Sequence, residues 1–283
     1  MKAVSLTTGE VRETFQCCLP EGTVVFTPER QEAYRKWKEE ELKKERRRSA
    51  NKPLGDFFFV TVSEQFTDIA PETVTRLVYL ITFIGYDNLL MLTQRTPMRR
   101  KDLAKALNLS ESTITRFWKE VIPKYITETA DGLLLANDSI FKRGCIRGIQ
   151  YRKFYINGIK NLYEEVQRNK HRQIGYFFKL LPYINIEYNL LCYNPWETDI
   201  KRLELMSIVE FCELIGYNIV HLNDLMYAYR NIRFTVNDST ERFCTITYKG
   251  IHNNNAQIFI NPRILYCGSD YEVVENLGGF CKA

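Results

Sequence analysis

The stretch that most constrains this chain runs from Lys101 to Val121. There Leu103, Ala104, Leu107, Leu109, Ile114, Phe117 and Val121 recur at the spacing of two short amphipathic helices meeting at a tight turn. Ala104 stands where two helices cross closely and only a small side chain fits. Asn108 stands at the turn, where the backbone must turn left-handed. Ser110 follows at the N-cap position of the second helix. This is the pattern of a helix-turn-helix.

The face of the second helix turned away from those apolar residues carries Glu111, Ser112, Thr113, Thr115, Arg116 and Lys119. Short hydroxyls and an arginine can reach base edges or phosphates, and a helix N-terminus offers free amides to a phosphate oxygen. Charge supports that reading. The whole chain carries +5, and Arg95 to Lys124 alone holds eight Lys or Arg against three Asp or Glu; Lys142 to Arg172 holds nine against two. An ordinary helical hairpin would show the same apolar spacing, but the basic surroundings and the strand pair that follows favour duplex DNA as the partner. The expected DNA-binding set is Arg99, Arg100, Lys101, Ser110, Ser112, Thr113, Thr115, Arg116, Lys119, Arg143 and Arg147. In it Arg116 and Thr113 read bases, while Lys119 and the other cations meet phosphates.

Sliding the chain against itself exposes an imperfect repeat. The first copy runs from the strand DFFFVTVSEQF at Asp56 to Phe66, through the helix Arg76 to Ile84 and the basic helix pair, to GLLLANDSIFKRG. The second runs from Tyr151 to Tyr163, through the helix Gln173 to Ile184 and a helical pair around Met206 to Phe234, to AQIFINPRILYCG. Helix, short strand, two helices and a strand pair is the order of a winged helix. The expected fold is therefore α+β, mainly α: tandem winged helix-turn-helix modules with a charged N-terminal arm. The expected boundaries are 1–52 for the arm, 53–148 for the DNA-binding module, 149–268 for the second module and 269–283 for a tail.

The arm includes QEAYRKWKEEELKKERRR, a run of mixed charge that suits a solvated helix; Arg46, Arg47 and Arg48 could also lie along phosphates. Asn51, Pro53 and Gly55 read as a linker. The second module keeps the inward apolar pattern about 108 positions downstream, with Phe211, Cys212, Ile215, Gly216, Tyr217, Leu222 and Leu225. Its outward residues are Asn218, His221, Asn223 and Asp224, in a stretch with two basic and four acidic residues from Glu204 to Arg233. Asn218 and Asn223 could still read bases, but acidic neighbours repel phosphates, so a platform for self-association or for a replication partner is expected there, with Tyr217, Tyr227, Tyr229 and Phe234 available to an interface. Lys249, His252 and the asparagines between its last two strands form a turn that either enters a minor groove or is simply solvated.

At MRRKDLAKALNLSESTITRFWKEVIPKYI, and again at RKFYINGIKNLYEE followed by GYFFKLLPYINIEYNLL, the chain resembles the winged-helix replication proteins of plasmids and phages of low-GC Gram-positive bacteria, the RepL-type group. The resemblance lies in the order and character of the elements from about Phe57 to Gly268. It implies binding at a replication origin and recruitment of host replication proteins. Two modules and a charged arm depart from that pattern. A transcriptional regulator of a mobile element would use the same DNA contacts, and a non-catalytic scaffold would offer the same basic face to an acidic protein.

Enzymatic readings find little support. The three histidines have no histidine neighbours with which to hold a metal beside a nucleophilic tyrosine. No phosphate-binding GxxxxGK, GxSxG or HExxH motif is present. No cofactor is expected. The eight cysteines lack metal-ligand spacing and read as reduced thiols, Cys17 and Cys18 among them. The first ten residues lack an apolar block and the most apolar stretch, Leu77 to Leu92, is broken by Gly85, Asp87 and Asn88, so a cytoplasmic protein with no membrane partner is expected.

Overall fold

The computed structural model describes residues 2–4, 11–13, 28–62, 66–144, 146, 150–248, 256–268, 276 and 278–282. The chain is a mixed α+β protein that divides into two compact units, Met1–Lys44 and Glu45–Ala283. In the first unit strands β1 (Lys2–Val4) and β2 (Val11–Glu13) pair antiparallel. The long helix α1 (Pro28–Asn51) begins there. Its described side chains in this unit are almost all exposed, and Glu32–Lys36 and Glu41–Lys44 pair along it at 2.9 and 2.8 Å. Cys17 and Cys18 lie outside the described residues, as do Lys249, His252 and the neighbouring asparagines.

The second unit opens with strand β3 (Phe57–Thr61), whose Phe58 and Val60 are wholly buried. Helix α2 (Pro71–Ile81) follows, with proline in its first turn, where a missing N–H costs nothing, and eight of its eleven residues buried. Two short strands, β4 (Met91–Thr93) and β5 (Thr96–Pro97), lead to helix α3 (Leu103–Leu107) and helix α4 (Glu111–Val121). The hairpin β6 (Ile126–Glu128) and β7 (Leu134–Ala136) closes this part, and β8 (Phe141–Lys142) returns to pair with β3.

Strand β9 (Tyr151–Tyr155) starts the second part, followed by helices α5 (Ile156–Glu165) and α6 (His171–Phe178). Then come α7 (Ile208–Leu214) and α8 (Leu222–Arg230). The hairpin β10 (Arg233–Val236) and β11 (Ser239–Arg242) precedes the last strand pair, β12 (Cys244–Tyr248) and β13 (Ala256–Ile260). The helical pair expected to reach Phe234 therefore stops at Arg230. Phe234 is a strand residue because Asn237 and Asp238, both at positive φ (48° and 62°), form a two-residue hairpin turn.

Several turns of the two parts share the same hydrogen bonds. Asn108 (φ 50°) ends α3 and Gly216 (φ 65°) ends α7, and just beyond them Leu109 donates to the Ala104 carbonyl at 3.0 Å as Tyr217 donates to Cys212 at 2.8 Å. Buried Asn88 and Asn189, also left-handed, send their amides to the carbonyls of Phe141 (3.4 Å) and Leu265 (2.6 Å). Asn137 and Asn261 open matching turns, their side-chain oxygens accepting from Ser139 (3.0 Å) and Arg263 (2.8 Å).

Equivalent elements of the two parts then pack against each other. β3 lies between β8 and β9, with Phe59 opposite Lys153 and Phe58 stacked on Phe154 at 5.5 Å. α2 packs closely on α6: a Cβ at Gly175 would stand 1.7 Å from the Pro71 carbonyl oxygen. Across the same contact Thr75 donates to the His171 carbonyl at 2.7 Å, and Lys179 Nζ donates to that of Ile69 at 2.6 Å. One continuous apolar core runs from Phe58 to Leu265, through the position at 148/149 where a module boundary was expected.

Candidate nucleic-acid interface

Helix α4 is held by its buried face, Ile114, Phe117, Trp118 and Val121, and by the Glu120 carboxylate, which accepts the Ala70 N–H at 3.0 Å. The turn before it is braced from the other half of the fold. Tyr163 Oη donates to the Leu107 carbonyl at 2.9 Å, and the Arg168 guanidinium donates to the carbonyl of Asn108. Burial pushes the Tyr163 hydroxyl up to about 12, so it stays a donor at any physiological pH, and its ring stacks on Tyr79 at 4.0 Å. These bonds satisfy carbonyls at the C-terminal end of α3 that the helix itself leaves open.

The exposed face of α4 displays Ser112, Thr115, Arg116 and Lys119, with Thr113 half-buried. Arg116 and Lys119 make no ion pair or hydrogen bond among the described residues. Arg99, Arg100 and Lys101 are exposed just ahead of α3, and Lys105 stands one turn beyond Lys101. The Arg100 guanidinium lies over the Trp118 ring, 5.1 Å from its centre, which ties this cation to α4 while leaving it exposed. Lys105 escaped the sequence reading, although the four-residue spacing to Lys101 was there to be seen.

Three expected residues stand differently. The Ser110 hydroxyl makes no cap to a backbone N–H; it pairs with the hydroxyls of Ser112 (3.2 Å) and Thr113 (3.0 Å). Arg143 is engaged internally, donating to Asp56 at 2.8 Å and to the Ile84 carbonyl at 3.1 Å with its guanidinium over the Tyr86 ring. A phosphate would have to compete with those partners. Arg147 lies outside the described residues. The β6–β7 hairpin presents Glu128 and Asp131 and no cation, so of the surfaces flanking α4 the basic one is the α3 side.

The α7–α8 pair shows another surface. Ser207 caps α7 in a reciprocal box with Glu210, whose carboxyl the Ser207 backbone N–H holds below its ordinary range. Asn218 accepts from Val220 at 3.0 Å ahead of α8. Outward stand Ile219, Val220 (79% exposed), His221, Asn223, Asp224 and Tyr227. Two of the aromatics expected at an interface, Tyr229 and Phe234, are in the core, since α8 packs on β12 and α6 and β10 packs on α5.

Among the described residues no helix is long and apolar enough to cross a membrane. Compared with known protein families, curated proteins and solved structures, the chain matches none.

Proposed function

We propose that this chain binds double-stranded DNA sequence-specifically through α3 and α4, as the helix-turn-helix of a winged-helix module spanning 53–148. The module spanning 149–268 is its degenerate partner and serves as a platform for a second copy or a replication protein. The observation that carries the reading is the exposed cationic face of Arg100, Lys101, Lys105, Arg116 and Lys119 around a helix whose hydroxyls bond only to one another and to the helix's own backbone, Thr115 to the Glu111 carbonyl at 2.9 Å, and whose Arg116 has no partner among the described residues. Free guanidinium and ammonium groups on a rigid helix suit the major groove. The role proposed is initiation of plasmid or phage replication, with transcriptional regulation of a mobile element as the second reading, because the same contacts serve both.

Binding should be dominated by phosphate neutralisation. Measured by fluorescence anisotropy with the full chain, the log–log slope of affinity against salt is expected to be steep, about −0.9 per phosphate neutralised. A binding constant flat from low to physiological salt would overturn the reading. Selection of bound sites from random duplexes then separates a specific binder from a scaffold for acidic proteins, which would enrich no sequence.

A further inference from the structure

Between α8 and β12 the second half carries a hairpin with no counterpart in the first, where α4 passes almost directly into β6. Alternation along β10 and β11 turns Phe234, Val236 and Glu241 inward. Glu241 is occupied there, accepting from Arg263 Nε at 2.9 Å and from the Asn261 amide at 2.8 Å. The outer face is left with Arg233 directly opposite Arg242, and Thr235 directly opposite Thr240. Two like charges facing each other across a strand pair cost stability. Neither guanidinium has a hydrogen bond or an ion pair among the described residues.

Both arginines line a cavity of about 420 Å³ together with Arg230 from the last turn of α8, Asn231, Thr245 and the exposed ring of Tyr227. Among the described residues no carboxylate lines it, in a stretch of sequence that is otherwise acidic. We infer that this cavity is a phosphate site, and that it takes a backbone phosphodiester of the duplex bound by the proposed DNA-binding face, on which reading the assignment to DNA rests. Paired guanidiniums offer forked N–H donors matched to phosphate oxygens, and an anion between them removes their repulsion. The site is open, with Arg233 and Tyr227 exposed at its rim, which suits a strand passing over it better than a small anion enclosed by it. It lies on the inserted hairpin, so it adds an anchor without restoring base contacts to α8.

The test compares the full chain with the Arg233→Gln/Arg242→Gln double variant and with the matching Arg→Lys pair. Duplex binding is followed across salt, and melting is followed with and without pyrophosphate. The inference expects the glutamine pair to lower the salt slope by about one for each phosphate left without its arginine, to weaken all sequences alike, and not to lower the melting temperature; lysines should restore the slope. An unchanged slope overturns the DNA assignment, even where pyrophosphate stabilises the wild-type chain alone. If the wild-type chain binds no duplex, the proposed function fails by itself. Pyrophosphate then decides the cavity: melting raised in the wild type and not in the variant keeps an anion site, and no rise in either removes it.

Discussion

Where α4 carries Arg116, the equivalent place on α8 carries Asp224; where α4 starts with Glu111, Ser112 and Thr113, the approach to α8 has Ile219, Val220 and His221. Inside, the two pairs agree: Ile114 answers Leu222, Phe117 answers Leu225, and Val121 answers Tyr229, all buried. Asn108 and Gly216 solve the same left-handed turn with the two residue types that tolerate it best. The lesson is a separation of tasks. The inward residues and the turn specify a backbone, and the outward residues are free to become cationic in one copy and apolar or acidic in the other.

Four experiments break or sharpen that comparison. The largest effect is expected from Gly175→Ala, which drives a Cβ into the Pro71 carbonyl oxygen and should cost about 3–5 kcal/mol. Because the halves share a core, urea unfolding should lose both in one transition, with DNA binding lost at the same midpoint; two separate transitions would show that the halves are independent. Next, Arg116→Ala should cost about 1–3 kcal/mol of DNA affinity and relax preference at one base pair, read by site selection. An unchanged preference would remove Arg116 from base readout.

A smaller effect concerns His171, buried where α6 meets α2. Burial lowers its pKa below the ordinary 6.5, and Arg76 and Arg168 nearby push the same way. The fold holds it neutral, so the unfolded chain takes up the proton first. Stability should be constant above about pH 7 and fall as pH drops through 6.5 towards the depressed native value. Melting temperatures from pH 7.5 to 5.5 test this, with His171→Gln expected to flatten that part of the profile. The smallest effect is Asp224→Ala, which should change DNA affinity by less than about 0.5 kcal/mol if α8 stands away from the groove. A loss matching that of Arg116→Ala would make the two helix pairs equal readers.

The helix pair, its left-handed turn and the matching turns of the two parts were legible because each leaves a local mark: apolar spacing, an Asn or Gly at a fixed offset, an Asn at the start of each closing turn. What escaped was long-range. Nothing local says that β3 pairs with β9, since the two strands are almost a hundred positions apart and neither carries a mark of its partner. The commitment of Arg143 to Asp56 and the bracing of the turn by Tyr163 and Arg168 are equally invisible to spacing. The β10–β11 hairpin was hidden by its position, continuing an apolar pattern straight out of α8, although Asn237-Asp238 was a readable turn signal.

The pairing of β3 with β9 also sets the order of events on the ribosome. Chains emerge at about 5–20 residues per second, and compact units fold as they are completed. Here the first helix pair is synthesised before β9 and α6, so Phe58, Val60, Leu77 and Val78 must wait with their partners not yet folded onto them. A chain stalled or cut near Gly148 would display that apolar surface to its neighbours, and an attempt to produce the first half alone should yield aggregate. The surface proposed to grip DNA thus becomes competent only once the second half has been translated.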